Sequence, residues 1–435
     1  MARRATSSET TERSVPALSA PTIEKDNPFT RSLAGLIGIA FLLLVGAVCL
    51  GSLPWTLSPA TDTTDVSTPR FNAGSPRSGR LPPIWWSHTD DDRRRLLLTI
   101  DPDRARALAE PLASEWGLTT EDALSLGPSD PRFERLFDTL RPEATGYLLG
   151  TDVLGRSLWV RILTGGGISL GIGLAAALIS VAIGTLYGAI AGYLGGRTDA
   201  VLMRIVDILY GLPYILLVVL LAVAVEAFLD DWVAGAAPQK AAERAAFVEA
   251  RIAALPEAER SNEDALAAIE AEALDEIGSG ELSQVQQNAI NVVTLLIAIG
   301  GVSWLTMARV VRGQVMSLKA QPFVEAARAV GAPTRRIFIR HLLPNLLGPI
   351  IVYATLTVPQ AILQESFLSF LGIGVKPPLP SWGNLAAEGL TELNPYKSNW
   401  WLLFFPCLML GVTLLALNFV GEGLREAFDP KRARR

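Results

Sequence analysis

The chain has 435 residues, of which 50% are hydrophobic and 19% are charged. In soluble domains roughly a quarter of the residues are charged, which is more than here. The apolar residues of this chain also stand in long blocks, so the composition indicates a chain that lies in a lipid bilayer. The net charge of −5 offers no basis for binding nucleic acid. Cys49 and Cys407 lie in apolar blocks, and His88 and His341 lack paired-ligand spacing, which argues against a disulfide or a metal site.

Six apolar blocks approach the length of about 20 residues that a membrane-spanning helix requires. The predicted spans are 33–53, 168–193, 205–228, 289–308, 346–362 and 400–420. The first block is interpreted as a retained anchor, because the polar segment 1–32 before it is too long for the start of an ordinary signal peptide. The predicted fold class is therefore an all-α integral membrane protein with six transmembrane helices.

The distribution of Lys and Arg predicts the orientation. The tail 1–32, the link after the second span with Arg197 and Arg204, the link 309–344 and the tail 426–435 all contain basic residues. Six spans place these four segments on one side, and basic segments next to spans are normally cytoplasmic. We therefore expect a multi-pass protein of the inner (plasma) membrane with both termini in the cytoplasm.

Two long polar segments fall on the opposite side. Residues 54–160 mix Pro, Asp and Arg and are long enough to hold folded structure of their own. Residues 230–288 are rich in Ala and Glu, and their pattern predicts two helices that break near Leu255-Pro256 and near 278–280. This second segment is either a solvated helical hairpin on the outer face or a contact surface for a binding protein or partner subunit.

Small residues recur at a four-residue spacing in the second span, at Gly184, Gly188 and Gly192. No hydrophobic force draws helices together inside a bilayer, so close backbone contact through small residues favours their association. These glycines predict a helix-packing face, and the pattern leaves open whether its partner lies in this chain or in another.

The basic link 309–344 contains a short predicted helix. Gln321-Pro322 suits a helix start, because proline is tolerated in the first turn. Glu325 would lie near the positive N-terminal end, and Gly331 would permit a sharp exit. An ordinary loop helix that lies on lipid headgroups through its arginines fits the same local pattern.

Four strings together resemble the second permease subunit of peptide ATP-binding-cassette (ABC) importers, the dipeptide and oligopeptide type to which nickel permeases also belong. They are LGTDVLGR at 149–156, EAARAVG at 325–331, SFLSFLGIGVKPPLPSWG at 366–383 and GEGLREAFDP at 421–430. The resemblance covers the first span and roughly 148–430. Most of 54–147 and 230–288 departs from the compact family pattern, so these segments are interpreted as extracytoplasmic insertions into a permease domain that covers 161–425.

The resemblance implies roles for individual residues. Those expected to couple the chain to an ATPase are Glu325, Ala326, Ala327, Gly331 and Pro344, of which Pro344 would begin the fifth span. Glu365, an ionisable group near the outer end of that span, would either line the translocation pathway or extend to the membrane interface.

The resemblance also implies the partners. These are a homologous permease that completes a heterodimer, two ABC ATPase subunits and an extracytoplasmic peptide-binding protein. The chain contains no GxxxxGK[ST] string, so ATP and Mg²⁺ are expected on the ATPase subunits, and no cofactor or catalytic residue is expected here. Alternatives remain: a permease for nickel or another small solute, an ion-coupled carrier that works alone, or a membrane scaffold.

Overall fold

The computed structural model describes residues 33–60, 68–256, 262–277, 284–395 and 398–428. The predicted tail 1–32 and residues 429–435 lie outside the described residues. Within the described ranges the regular structure is helical, which confirms the predicted all-α class. The helices are α1 Leu33–Thr56, α2 Asp90–Leu97, α3 Pro102–Trp116, α4 Thr120–Leu124, α5 Phe133–Leu140, α6 Leu158–Leu194, α7 Gly196–Tyr210, α8 Tyr214–Ala254, α9 Glu263–Ile277, α10 Gln284–Lys319, α11 Pro322–Ala329, α12 Thr334–Ile337, α13 Leu343–Phe370, α14 Trp382–Thr391 and α15 Trp401–Phe428.

Among the described helices, five are long and apolar enough to cross a membrane, and a bent pair raises the possible number to six. The single helix predicted over 205–228 is wrong, because α7 and α8 meet there at an angle of 94°. The break falls at 211–213, where Pro213 disfavours a helical conformation of the residue before it and stands as the N-cap of α8.

Several helices extend beyond the predicted spans. α10 continues to Lys319, so the basic residues from Arg309 to Lys319 lie on a helix rather than in a loop. α13 runs on to Phe370 and contains Pro349 and Pro359 without ending at either. α8 continues out of the apolar region to Ala254, next to the predicted break at Leu255-Pro256, and α9 ends at Ile277.

The segment between α1 and α6 folds around a small apolar core. This core consists of Ile100, Ala105, Ala109, Leu112, Leu136 and Leu140. The Asp101 side chain accepts hydrogen bonds from the N–H groups of Asp103 and Arg104 and so caps α3, and Gly117 ends that helix with φ +65°. The predicted outer segment 54–160 therefore contains folded structure.

The centre of the membrane part is the contact between α6 and α10. A Cβ atom added to Gly188 would lie 2.3 Å from the Ala308 carbonyl oxygen, and one added to Gly184 would lie 2.5 Å from the Met307 Cβ. Similarly, a Cβ atom on Gly192 would lie 2.8 Å from the Arg312 carbonyl oxygen. The three glycines thus pack against a helix of the same chain, and any larger side chain would separate the two backbones.

Candidate coupling surface and membrane cleft

The short helix α11 begins and ends with well-defined caps. Gln321 is the extended N-cap and Pro322 occupies the first turn, as the sequence predicts. At the other end, the Gly331 N–H donates to the Arg328 carbonyl at 2.9 Å, and the Ala332 N–H donates to the Ala327 carbonyl at 3.0 Å. This pair of bonds is a Schellman motif, and Gly331 adopts the left-handed conformation that the motif requires, with φ +80°.

One face of α11 is held against the bundle. Val324 is fully buried, and Ala327 packs in the same apolar cluster. The cluster also contains Ala189 from α6 and Val311 and Val315 from α10. α11 therefore rests on the ends of the two helices that form the centre of the membrane part.

The opposite face of α11 is open to solvent. Phe323, Glu325 and Ala326 are exposed, and Val330 is 88% exposed. Exposed apolar side chains beside small residues on a fixed helix are typical of a surface that another protein contacts. Pro344 is also exposed but lies in the first turn of α13, separate from this face.

The end of α10 beneath α11 is bound to α7 and α6 by polar contacts. Arg312 forms a bidentate pair with Asp199, in which Nη2 donates to Oδ2 at 2.5 Å. Arg309 Nη2 donates to Asp207 Oδ1 at 2.8 Å. Lys319 Nζ donates to the Gly192 carbonyl at 2.7 Å, which satisfies a carbonyl in the last turn of α6. These three contacts join α10 to its neighbours just before α11 begins.

The Glu365 side chain is enclosed within the chain, near the end of α13. It is fully buried, and it accepts a hydrogen bond from Ser369 Oγ at 2.7 Å and one from Ser366 Oγ at 3.2 Å. Ser369 Oγ also accepts from the Val375 N–H at 3.0 Å, so the carboxyl group joins the end of α13 to the loop that follows. A lining role for Glu365 stays a prediction, although this carboxyl is enclosed within the chain.

Sequence reasoning missed an open polar cleft among the long apolar helices. A cavity of about 490 Å³ lies where the α7–α8 break meets α10 and α13. Tyr214 OH donates to Gln364 Oε1 at 2.7 Å and lies 2.8 Å from Ser303 Oγ. Gln360, one helical turn before Gln364, also lines the cavity and is exposed. The signal in the sequence was this pair of glutamines at a four-residue spacing in an otherwise apolar helix.

At the far end of the bundle, the string at 149–156 is joined to α6 and α14 through a cluster of ions centred on the buried Arg161. Arg161 Nη1 donates to Asp152 Oδ2 at 2.7 Å and to Glu388 Oε2 at 2.5 Å. Asp152 Oδ2 also accepts from Arg156 Nε at 2.6 Å. α14, which carries Glu388, follows the string at 366–383 and starts with a capping box of Ser381 and Asn384.

A second pair fastens the α2–α5 segment to this end. Arg80 forms a bidentate ion pair with Glu392, with nitrogen–oxygen distances of 2.7 and 3.0 Å. The hydrogen bonds from Arg80 hold the pKa of the Glu392 carboxyl below its ordinary value of 4.5. The segment inserted between α1 and α6 is thus joined to the residue that ends α14.

Comparisons with known proteins identify the family of the chain. Residues 184–434 match the family described as binding-protein-dependent transport system inner membrane component. The chain is 42% identical over 289 residues to the oligopeptide transport system permease protein OppC of Escherichia coli (strain K12), which covers 66% of this chain and 73% of that protein. It is 37% identical over 309 residues to the dipeptide transport system permease protein DppC of Bacillus subtilis (strain 168), covering 71% and 76% of the two chains.

Proposed function

This chain belongs to the family of binding-protein-dependent transport system inner membrane components, and from that premise we propose that it is the permease subunit of an ATP-driven peptide importer. Relatives at 37–42% identity are named as oligopeptide and dipeptide permeases, which supports peptides as the cargo. The family and the long apolar helices support a multi-pass location in the inner membrane. Both termini, and with them α11, face the cytoplasm in this proposal.

The observation that carries the proposal is the exposed face of α11 on a fixed base. Val324 and Ala327 hold the helix to the bundle, while Glu325 and Ala326 face away from it. A separate ATPase subunit that receives this face in a groove would move α11 and the inner end of α10 together. ATP and Mg²⁺ belong to that ATPase, and this chain supplies the element through which the ATPase acts.

The contacts around α10 provide a route from α11 to the membrane. Arg309 pairs with Asp207, and its guanidinium also lies 4.0 Å from the centre of the Tyr210 ring. Tyr210 lines the polar cleft, so a displacement of α10 reaches the cleft through one side chain. The ATPase can shift the balance between two states of the pathway only as far as its binding differs between them. The ATPase must therefore bind α11 more tightly in one state of the pathway than in the other.

The proposed assembly also contains a second permease, two ATPases and a peptide-binding protein. A single copy encloses only one side of the polar cleft, and we infer that a homologous permease in a heterodimer supplies the other side. Two ABC ATPases would bind the two permeases from the cytoplasm, and an extracytoplasmic peptide-binding protein would deliver the cargo. The helical hairpin formed by the outer part of α8 and by α9 is available to contact that protein.

The test uses the reconstituted complex of both permeases, both ATPases and the binding protein in vesicles. Glu325→Lys reverses a charge on the exposed face of α11 and should abolish ATP-driven peptide uptake while leaving membrane insertion intact. Copurification with the ATPases should fall in parallel. The matched control is Glu422→Lys, which makes the same charge change at an exposed carboxylate on α15 and should leave uptake near normal.

Two results would overturn the proposal. Normal uptake by the Glu325→Lys complex would show that this face is not the point of coupling. Transport by the purified chain alone, driven by an ion gradient, would identify an independent carrier. If the intact complex took up nickel but not peptide, the chain would still be an importer permease, and the proposed cargo would be wrong.

A further inference from the structure

The polar cleft beside the α7–α8 break places hydrogen-bonding side chains from three membrane helices around one open space. Tyr214 of α8, Ser303 of α10 and Gln364 of α13 form a linked group, and Gln360 and Thr306 lie at the open edge. The remaining residues around this cavity are apolar or aromatic, and none of the described lining residues carries a charge.

The hydrogen bonds inside the linked group leave donors available. The Gln364 side-chain oxygen accepts from Tyr214, and Ser303 Oγ lies 3.4 Å from the same oxygen. Among the described residues, the hydrogen bonds of Gln364 are both to its side-chain oxygen, and neither polar side-chain atom of Gln360 has a protein partner. A glutamine side chain has two N–H donors and one carbonyl acceptor. The donors can bind a main-chain carbonyl of a peptide, and the acceptor can bind a main-chain N–H.

The position of Gln360 requires a polar neighbour. Its side chain is exposed near the middle of α13, a helix that crosses the membrane by its length and composition. A side-chain amide left in hydrocarbon without a hydrogen bond costs several kcal/mol. Polar residues within membrane helices therefore face a water-filled cavity or another polar group. Ile351 lies nine residues before Gln360, on the opposite face of α13. It is 38% exposed and suits lipid or an apolar protein surface.

We propose that this cleft is the surface along which the cargo crosses the membrane, and that Gln360 and the Gln364 amide nitrogen bind the main-chain amides of the passing peptide. The inference rests on the proposed function and adds the contact residues and their chemistry. A neutral set of amide and hydroxyl groups binds the repeated part of every peptide without regard to side-chain charge. Selection between peptides then stays with the binding protein.

The first test changes the charge preference of uptake. Gln360→Glu keeps the size of the side chain and places a carboxylate in the cleft, where it repels an acidic cargo and attracts a basic one. In vesicles with the complete complex, the ratio of Ala-Lys to Ala-Glu uptake should rise about tenfold over the wild type. An unchanged ratio would overturn the inference, since a purely structural role of Gln360 would lower both uptakes equally.

The second test locates the cargo directly. A photo-reactive phenylalanine at position 360 should crosslink to a radiolabelled dipeptide during turnover, whereas the same group at position 351, on the opposite face of α13, should not. Crosslinking of position 360 to the second permease, with no peptide adduct, would identify a subunit interface and overturn the inference. Uptake by the wild-type complex is measured in the same vesicles. If the wild type transports peptide but position 360 gives no peptide adduct, the cleft assignment is wrong. If the wild type does not transport peptide, the proposed function is wrong.

Discussion

Ion pairs join the helices at both ends of the bundle, but the two sets differ in their access to solvent. At the α14 end, Arg161 is 1% exposed between Asp152 and Glu388. At the α11 end, Arg309 and Asp207 are 37% and 57% exposed, whereas Arg312 and Asp199 are 32% and 12% exposed. Buried ions leave large unpaired charges when they separate, whereas exposed ions exchange their partners for water at small cost. The cluster around Arg161 is therefore the most rigid contact, and the Arg309–Asp207 pair is the one that can open most easily.

This difference fits the work proposed for each end. The segment between α1 and α6 and the string at 149–156 are joined by ion pairs to α14 and its C-cap Glu392. A transporter that an ATPase drives from one side needs one end that stays rigid and another end that moves. α11 and the adjoining end of α10 are the end proposed to move, because the Arg309–Asp207 pair can open without leaving a charge buried.

The largest expected effect tests the rigid end. Arg161→Ala removes a side chain that is 1% exposed and leaves Asp152 and Glu388 with Arg156 as their remaining cation, at 2.6 and 3.9 Å. This should lower the free energy of unfolding by about 3 kcal/mol. The measurement is the thermal unfolding of the detergent-purified protein. The control is Arg106→Ala, because Arg106 and its partner Asp103 are 56% and 90% exposed, and its loss should stay below about 0.5 kcal/mol. Equal losses in the two variants would contradict the contrast between buried and exposed pairs.

A second prediction tests the pair that joins α10 to α7. Arg312→Ala removes two charge-assisted hydrogen bonds to Asp199 and should cost about 1.5–3 kcal/mol in stability. Peptide uptake should fall more than ATP hydrolysis, since one of the two ion pairs that join α10 to α7 is lost and Arg309–Asp207 alone remains. The double variant Arg312→Asp with Asp199→Arg restores opposite charges and should recover part of the uptake. A double variant no better than either single change would show that the pair does not act as a unit.

The third prediction concerns how α11 ends. Gly331 and Gly313 both have open space where a Cβ atom would lie, but only Gly331 has a positive φ. Gly331→Ala should therefore destabilise the end of α11 by about 1 kcal/mol and lower uptake several-fold. The same change at Gly313, inside α10, should be neutral or slightly stabilising.

Gly331→Asn provides a further check, because Asn tolerates the left-handed conformation better than Ala does. Uptake by this variant should lie between that of the wild type and that of Gly331→Ala. Equal loss with Asn and Ala would mean that side-chain bulk against the ATPase, and not backbone conformation, decides the effect.

The parts of the fold that depend on local pattern could be predicted from the sequence. The apolar blocks located the membrane helices, and Pro322 and Gly331 marked the ends of α11, because these residues act through their own backbone. Pro213 was visible inside the third block, but its effect on the helix was not predicted. A proline shows that a helix can break, whereas the angle of 94° depends on what the two pieces pack against.

The contacts that depend on distant residues could not be predicted. In the sequence, Arg309 and Arg312 were placed in a basic link without ion-pair partners. Their partners, Asp207 and Asp199, stand about a hundred residues earlier. Glu365 and Gln364 are adjacent in sequence, yet one is enclosed by serines and the other faces the open cleft. A helix turns by about 100° per residue, so neighbouring side chains point in different directions and their surroundings follow only from the packing.

The smallest expected effect is a pH dependence at the α14 end. Arg80 lowers the pKa of Glu392 in the folded protein, so the ionised carboxylate stabilises the fold. A depressed folded pKa gives a contribution that is complete above the unfolded value of about 4.5 and is lost as the pH falls through the lower folded value. Because Arg80 is 40% exposed, the contribution should stay below about 1 kcal/mol.

The measurement is the difference in melting temperature between the wild type and Glu392→Gln, followed from pH 7 down to below 4.5. The wild type should be slightly more stable at neutral pH, and the difference should shrink as the solution becomes acid, because the protonated carboxyl no longer pairs with Arg80. A difference that grows toward acid pH would reverse the sign of the linkage. A constant difference would show that the amide loses packing or hydrogen-bond geometry, so that charge pairing does not fasten the inserted segment to α14.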